Sequence, residues 1–92
     1  MATIDWSQLV TTEQIAAEEL SAATRSAQSQ VSTRRLTADG VIGALQDAVD
    51  LGEATPEEEA KLLEWKRYRI ALIRAPNQPG YPTEIDWPAP PA

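Results

Sequence analysis

The sequence predicts an all-α protein: an antiparallel helical hairpin with a long Ala-rich amino-terminal helix and an extended Pro-rich carboxy-terminal tail. Three observations carry this. Thr55-Pro56-Glu57-Glu58 spells out a helix start. The Thr is a cap, the Pro takes the first helical position where its missing N–H costs nothing, and a Glu follows three residues after the cap. Two stretches, Val41–Val49 and Leu62–Ile73, repeat apolar residues at the helical period. Six of the seven prolines lie after Ala75, where a helix cannot continue.

Residues 1–10 are expected to be an extended segment with Trp6 and Leu9 as its apolar anchors. The triplet Ile4-Asp5-Trp6 recurs as Ile85-Asp86-Trp87, either by chance or because both ends dock equivalent pockets. Thr11 or Thr12 then caps an Ala-rich polar helix over 11–36, with a narrow seam of Ala16, Leu20, Ala23, Ala27 and Val31. At roughly 25 cal/mol per Å² such a seam stabilises far less than a row of leucines. This helix is therefore read as a coiled-coil strand or an arm that needs a neighbour. Leu36–Gly40 predicts a break or kink, where Thr37 or Asp39 could cap a new helix. Gly40 and Gly43 each weaken a helix by about 1 kcal/mol relative to Ala. The hairpin occupies 37–75, its helices at about 41–51 and 56–74, with Gly52 as the stop between them. The tail, 76–92, is expected to be extended and polyproline-like. Its large apolar groups, Tyr81 and Trp87, suit docking onto the hairpin or a partner.

The second hairpin helix is the most informative stretch. At about 100° per residue, Leu62, Leu63, Trp65, Tyr68, Ile70, Leu72 and Ile73 share an arc of roughly 220°. A helix covering one side of a single core needs a stripe of only about 100° or a little more. Two neighbours are implied, one from its own chain and one from elsewhere. Charge is segregated as well. Thr37–Ala60 holds seven acidic residues and no basic one; Lys61–Ala75 holds five basic residues and one acidic. Packed antiparallel, the two segments would use those signs to set register, unless the charges are merely solvated.

Composition excludes much. With 92 residues, many alanines and no Phe, the core is thin, a state often relieved by oligomers or partners. The chain has neither Cys nor His. That removes disulfides, thiol chemistry, the commonest general base and the commonest zinc ligands. A net charge of −6 argues against nucleic acid and against anionic membranes. No signal sequence or membrane span is expected, so the chain reads as soluble. Asp47, Asp50 and Glu53 sit at i, i+3, i+6, yet a calcium site needs more oxygen ligands and a loop to wrap them. No nucleophile elbow or phosphate loop is present. The reading is no enzyme, no cofactor and no metal.

LQDAVDLGEAT, then LLEWKRYRIAL, then a short spacer and EIDWPAPP, resembles the carboxy-terminal region of bacteriophage tail fibre assembly proteins. The likeness covers Leu45 to Pro91 well, and IDWSQLVTTEQ near the start loosely. It implies a small chaperone that binds the carboxy-terminal region of a tail fibre protein and assists its folding, trimerisation or attachment. It also implies work in the host bacterial cytoplasm, with retention on the particle in some relatives. Family members are typically longer, with an amino-terminal part that recognises the fibre.

The residues singled out for partner binding are Leu62, Trp65, Tyr68, Arg69, Leu72 and Trp87, since aromatic side chains and Arg dominate interface energetics. The rival reading of the same residues is simple core. A rival function is a small self-associating coiled-coil structural or adaptor protein of the particle, that is, a homo-oligomer. An antitoxin-like regulator is a third.

Overall fold

The computed structural model describes the chain from Trp6 to Ala92, with side-chain surroundings from Glu13 onward. It contains two α-helices, α1 (Trp6–Asp50) and α2 (Pro56–Arg74), then a single 3-10 turn at Ala75–Asn77 and an irregular tail. Among the described residues no helix is long and apolar enough to cross a membrane.

The link between the helices is built as its residues dictate. Gly52 takes φ +72°, a left-handed conformation that costs an L side chain but not glycine. That turn lets the Glu53 N–H donate to Ala48 O at 2.8 Å and the Gly52 N–H to Val49 O at 3.0 Å. These two bonds satisfy the last carbonyls of α1 in a Schellman arrangement. Three residues later the Glu58 N–H donates to Thr55 Oγ1, and the Thr55 N–H to Glu58 Oε1, both at 3.1 Å. This capping box, with Pro56 behind it and Glu57–Glu59 in the first turn, fixes where α2 begins.

The helices run antiparallel. Arg69 reaches Asp39 at 3.1 Å, while Lys66 Nζ donates to Gln46 Oε1 at 3.0 Å. Between them lies a compact apolar cluster of Ala38, Ile42, Leu62, Tyr68 and Leu72, edged by Leu45, Val49, Trp65 and Trp87. Ala38 is fully buried, and its single methyl lets α2 approach closely.

Two expectations about α1 are corrected. The break at Leu36–Gly40 does not exist: one helix of 45 residues passes through it. A break would leave orphan N–H and C=O groups on both sides. It would also split Ala38, Ile42 and Leu45 from one continuous stripe, which costs more than two exposed glycines do. Nor is α1 confined to 11–36 and 41–51. It starts by Trp6, so the extended reading fails for 6–10, and the expected cap at Thr11 or Thr12 falls inside the helix. Extending an existing helix gains one hydrogen bond per residue fixed. The extended reading of residues 1–5, Ile4 and Asp5 included, lies outside the described residues.

The molecule is long, 82 × 18 × 17 Å, with a radius of gyration of 21.0 Å. A compact chain of this length would have about 12 Å. The excess comes from the amino-terminal part of α1: Glu13 to Ala22 are all exposed, past the end of the hairpin and tail.

The tail folds back along the middle of α1. Gln78 grips Asp86 twice: its Nε2 donates to Asp86 O at 2.9 Å, and its Oε1 accepts from the Asp86 N–H at 2.8 Å. Inside that closed loop the Glu84 N–H donates to Gly80 O at 2.7 Å, and the Tyr81–Pro82 peptide is cis. Gly80 is required there, because a Cβ would collide with the Glu84 carbonyl oxygen. Closure sets Ile85 and Trp87 beside α1, where they line a shallow hollow together with Ala23, Ser26, Ala27 and Gln30, and the Arg34 guanidinium lies over the Trp87 ring at 4.5 Å. Ala27 is 2% exposed.

Candidate interaction surface

The six residues predicted to bind a partner separate into two groups. Leu62, Tyr68 and Leu72 are buried against α1, where they hold the hairpin closed. Trp65, Arg69 and Trp87 are half-buried and reach the surface. Trp65 stands edge-on to Tyr68, ring centroids 5.6 Å apart and planes at 88°, the arrangement favoured by the aromatic quadrupoles. Its inner edge rests on the core and its outer edge is open. Arg69 is held over α1 by Asp39, and Trp87 by Arg34. The structure thus places five of the six at or around the hairpin seam on α2, with Trp87 packed against the same cluster.

The wide apolar arc is only partly used. On the side of α2 turned away from the seam, Leu63 is 55%, Ile70 46% and Ile73 52% exposed. Leu36 on α1 and Leu51 in the turn just after it are more exposed still. Sequence reasoning counted Leu63, Ile70 and Ile73 in the arc yet selected Leu62, Trp65, Tyr68, Arg69, Leu72 and Trp87 as the site. The helical wheel separates the two sets once Tyr68 and Leu72 are fixed as inward. Gln78 and Arg34, which seat the tail, carried no sequence signal, since both depend on contacts far apart along the chain.

Acidic chemistry does not gather. Asp50 Oδ1 accepts from Gln46 Nε2 at 2.9 Å, and among the described residues no group of three or more acidic side chains converges as a metal site would require. The hollows are shallow and line the tail loop and the outer helix faces. One is lined by Gln78, Pro79, Gly80, Glu84, Ile85 and Asp86, within the tail loop.

Comparison with known proteins gives this chain a lineage. The model of the family described as Caudovirales tail fibre assembly protein, lambda gpK, matches residues 2–92. The chain belongs to the tail fibre assembly protein family. It is 53% identical over 53 residues to a "Probable tail fiber assembly protein" of Acyrthosiphon pisum secondary endosymbiont phage 1, a match covering 55% of this chain and 32% of that protein. It is 44% identical over 54 residues to a protein of the same printed name from Shigella phage SfV, covering 59% and 29%. To the "Tail fiber assembly protein" of Escherichia phage lambda it is 46% identical over 50 residues, covering 54% and 25%. The chain therefore spans only about a quarter to a third of the length of the curated relatives it matches. No solved structure matches it.

Proposed function

We propose that this chain is a binding module of a tail fibre assembly chaperone. It acts on the carboxy-terminal region of a phage tail fibre protein and helps it fold, trimerise or attach, without catalysis or cofactor. The observation that carries the reading is the family match across residues 2–92. The fold supports it, because the hairpin leaves large apolar side chains uncovered and offers no enclosed polar cleft.

The contact is placed on Trp65, Arg69 and Trp87, backed from within by Leu62, Tyr68 and Leu72. Aromatic rings seated on a rigid hairpin present area at little entropic cost, and Arg69 adds hydrogen bonds at the rim. Binding there shields apolar fibre surface until trimerisation buries it. The site of action is the cytoplasm of the infected host, and the product remains with the fibre where its dissociation is slow.

Co-expression with its fibre protein tests this. Soluble, trimeric fibre should increase with the parent chain, and the gain should be lost with Trp65→Ala/Arg69→Ala. Fibre yield and oligomeric state indifferent to the chain would defeat the proposal.

A further inference from the structure

The outer strip of α2 lies on the side away from Trp65 and Arg69, and its side chains stand exposed. Leu63, Arg67, Ile70 and Arg74 follow one another at spacings of four and three, so they form one row. All four are exposed, with Ile73 at the edge. A shallow hollow bounded by Arg67, Ile70, Ala71 and Arg74 indents the row. The strip is apolar along its centre and basic along its side.

The opposite end of the molecule carries the converse surface. Between Glu13 and Thr24 the charged residues are Glu13, Glu18 and Glu19, with no basic residue. Ile15 and Leu20 stand exposed among them. The helix from residue 6 to 22 runs about 25 Å and α2 about 28 Å at 1.5 Å per residue. A helical arm whose described side chains, Glu13 to Ala22, are all exposed is marginal by itself. The strip matches its apolar side chains and acidic charge, and α2 as a whole matches its length.

We infer that the strip is covered by a second copy of this chain: the acidic arm of each copy lies along the outer strip of α2 of the other. The two-fold arrangement follows from where the surfaces sit. Arm and strip lie at opposite ends of a long molecule, so antiparallel copies make both contacts at once, and the interface closes on itself. Parallel copies would set acidic arm beside acidic arm. At each end the incoming arm adds a third helix to the outer face of α2 of its partner copy, on the side opposite α1. This surface is distinct from the fibre contact proposed above, and the dimer stands whether or not that contact is correct.

Sedimentation of the full chain without fibre tests the pairing. The parent should approach twice its 10.0 kDa mass as concentration rises, and dissociate more readily in high salt, because exposed charges are screened. Arg67→Glu/Arg74→Glu and, separately, Glu13→Lys/Glu18→Lys/Glu19→Lys should each remain monomeric with parental helicity. Mixing the two variants should restore a dimer, since each arm then meets a strip of opposite sign. If either variant loses helicity, a second measurement decides. Ala16→Cys mixed with Ala71→Cys, in a chain that otherwise has no Cys, should form an intermolecular disulfide on oxidation. A parent that stays monomeric, a dimer that survives both charge reversals, a mixture that does not re-associate, or cysteines that do not couple would each overturn the inference. So would a monomeric parent whose strip variants lose capture of a fibre fragment, which would assign the strip to the fibre.

Discussion

Gly40 and Gly43 offer a direct test of whether α1 is continuous. Both sit in mid-helix at exposed positions, and a Cβ added to either meets no atom within 4 Å. Replacing each with Ala should therefore add no clash, while removing the excess backbone freedom glycine brings to the unfolded chain. The gain is about 0.8–1.0 kcal/mol per site, so about 2 kcal/mol for the pair. For a domain of this size, 1 kcal/mol moves Tm by roughly 4–8 °C, which puts the double variant on the order of 10 °C above the parent. Gly52→Ala is the control of opposite sign. Its φ of +72° also meets open space, so the loss, about 1–2 kcal/mol, comes from backbone conformation alone. Thermal melts followed by circular dichroism read all three. If Gly40→Ala/Gly43→Ala leaves Tm unchanged or lowers it, those residues are not in helical conformation and the uninterrupted α1 is wrong. If Gly52→Ala is neutral, the Schellman turn is wrong.

The remaining expectations concern the core, the cap and the tail. Leu72 is fully buried, so Leu72→Ala should cost about 2–5 kcal/mol in urea unfolding, depending on how far α1 and α2 collapse into the gap. Thr55→Ala removes half the capping box and should lower stability by about 1 kcal/mol, with faster amide exchange confined to the first turn of α2. Asp39→Ala breaks an ion pair that is a third to a half exposed, so its cost should stay below about 1 kcal/mol and vanish in high salt. Trp87→Ala should release the tail from α1. Half burial of a Trp is about 100 Å², worth about 2 kcal/mol, and proteolysis after Arg34 or within 78–92 should quicken while far-UV ellipticity holds.

The parts of this fold that are local could be read from residues alone. Gly52, Thr55, Pro56 and Glu58 specify the end of one helix and the start of the next within seven positions, and the structure uses each as its chemistry suggests. Gly40 misled because a glycine near Thr37 and Asp39 looks like a helix boundary when only neighbours are weighed. The deciding contacts, Ala38 and Ile42 against Leu62, Tyr68 and Leu72, join residues twenty or more positions apart. The Ala-rich seam was visible, but not what would cover it. Ala23 and Ala27 line a shallow hollow with Ile85 and Trp87, an encounter set by Gln78 closing a loop that no periodicity announces. On the interaction surface, the seven-residue arc showed that α2 had more apolar area than one helix can hide. Which half was surplus depended on rotation about the helix axis. Tyr68 turned inward, and Leu63 and Ile70 were left outside.

A long axis more than four times either short one also governs how this molecule behaves in a flow or a gel bed. Its friction is that of a much heavier sphere, so it should tumble slowly about its short axes and leave a calibrated sizing column early. A lone copy would then be mistaken for a pair, whereas scattered light, which weighs particles without regard to outline, would not make that error.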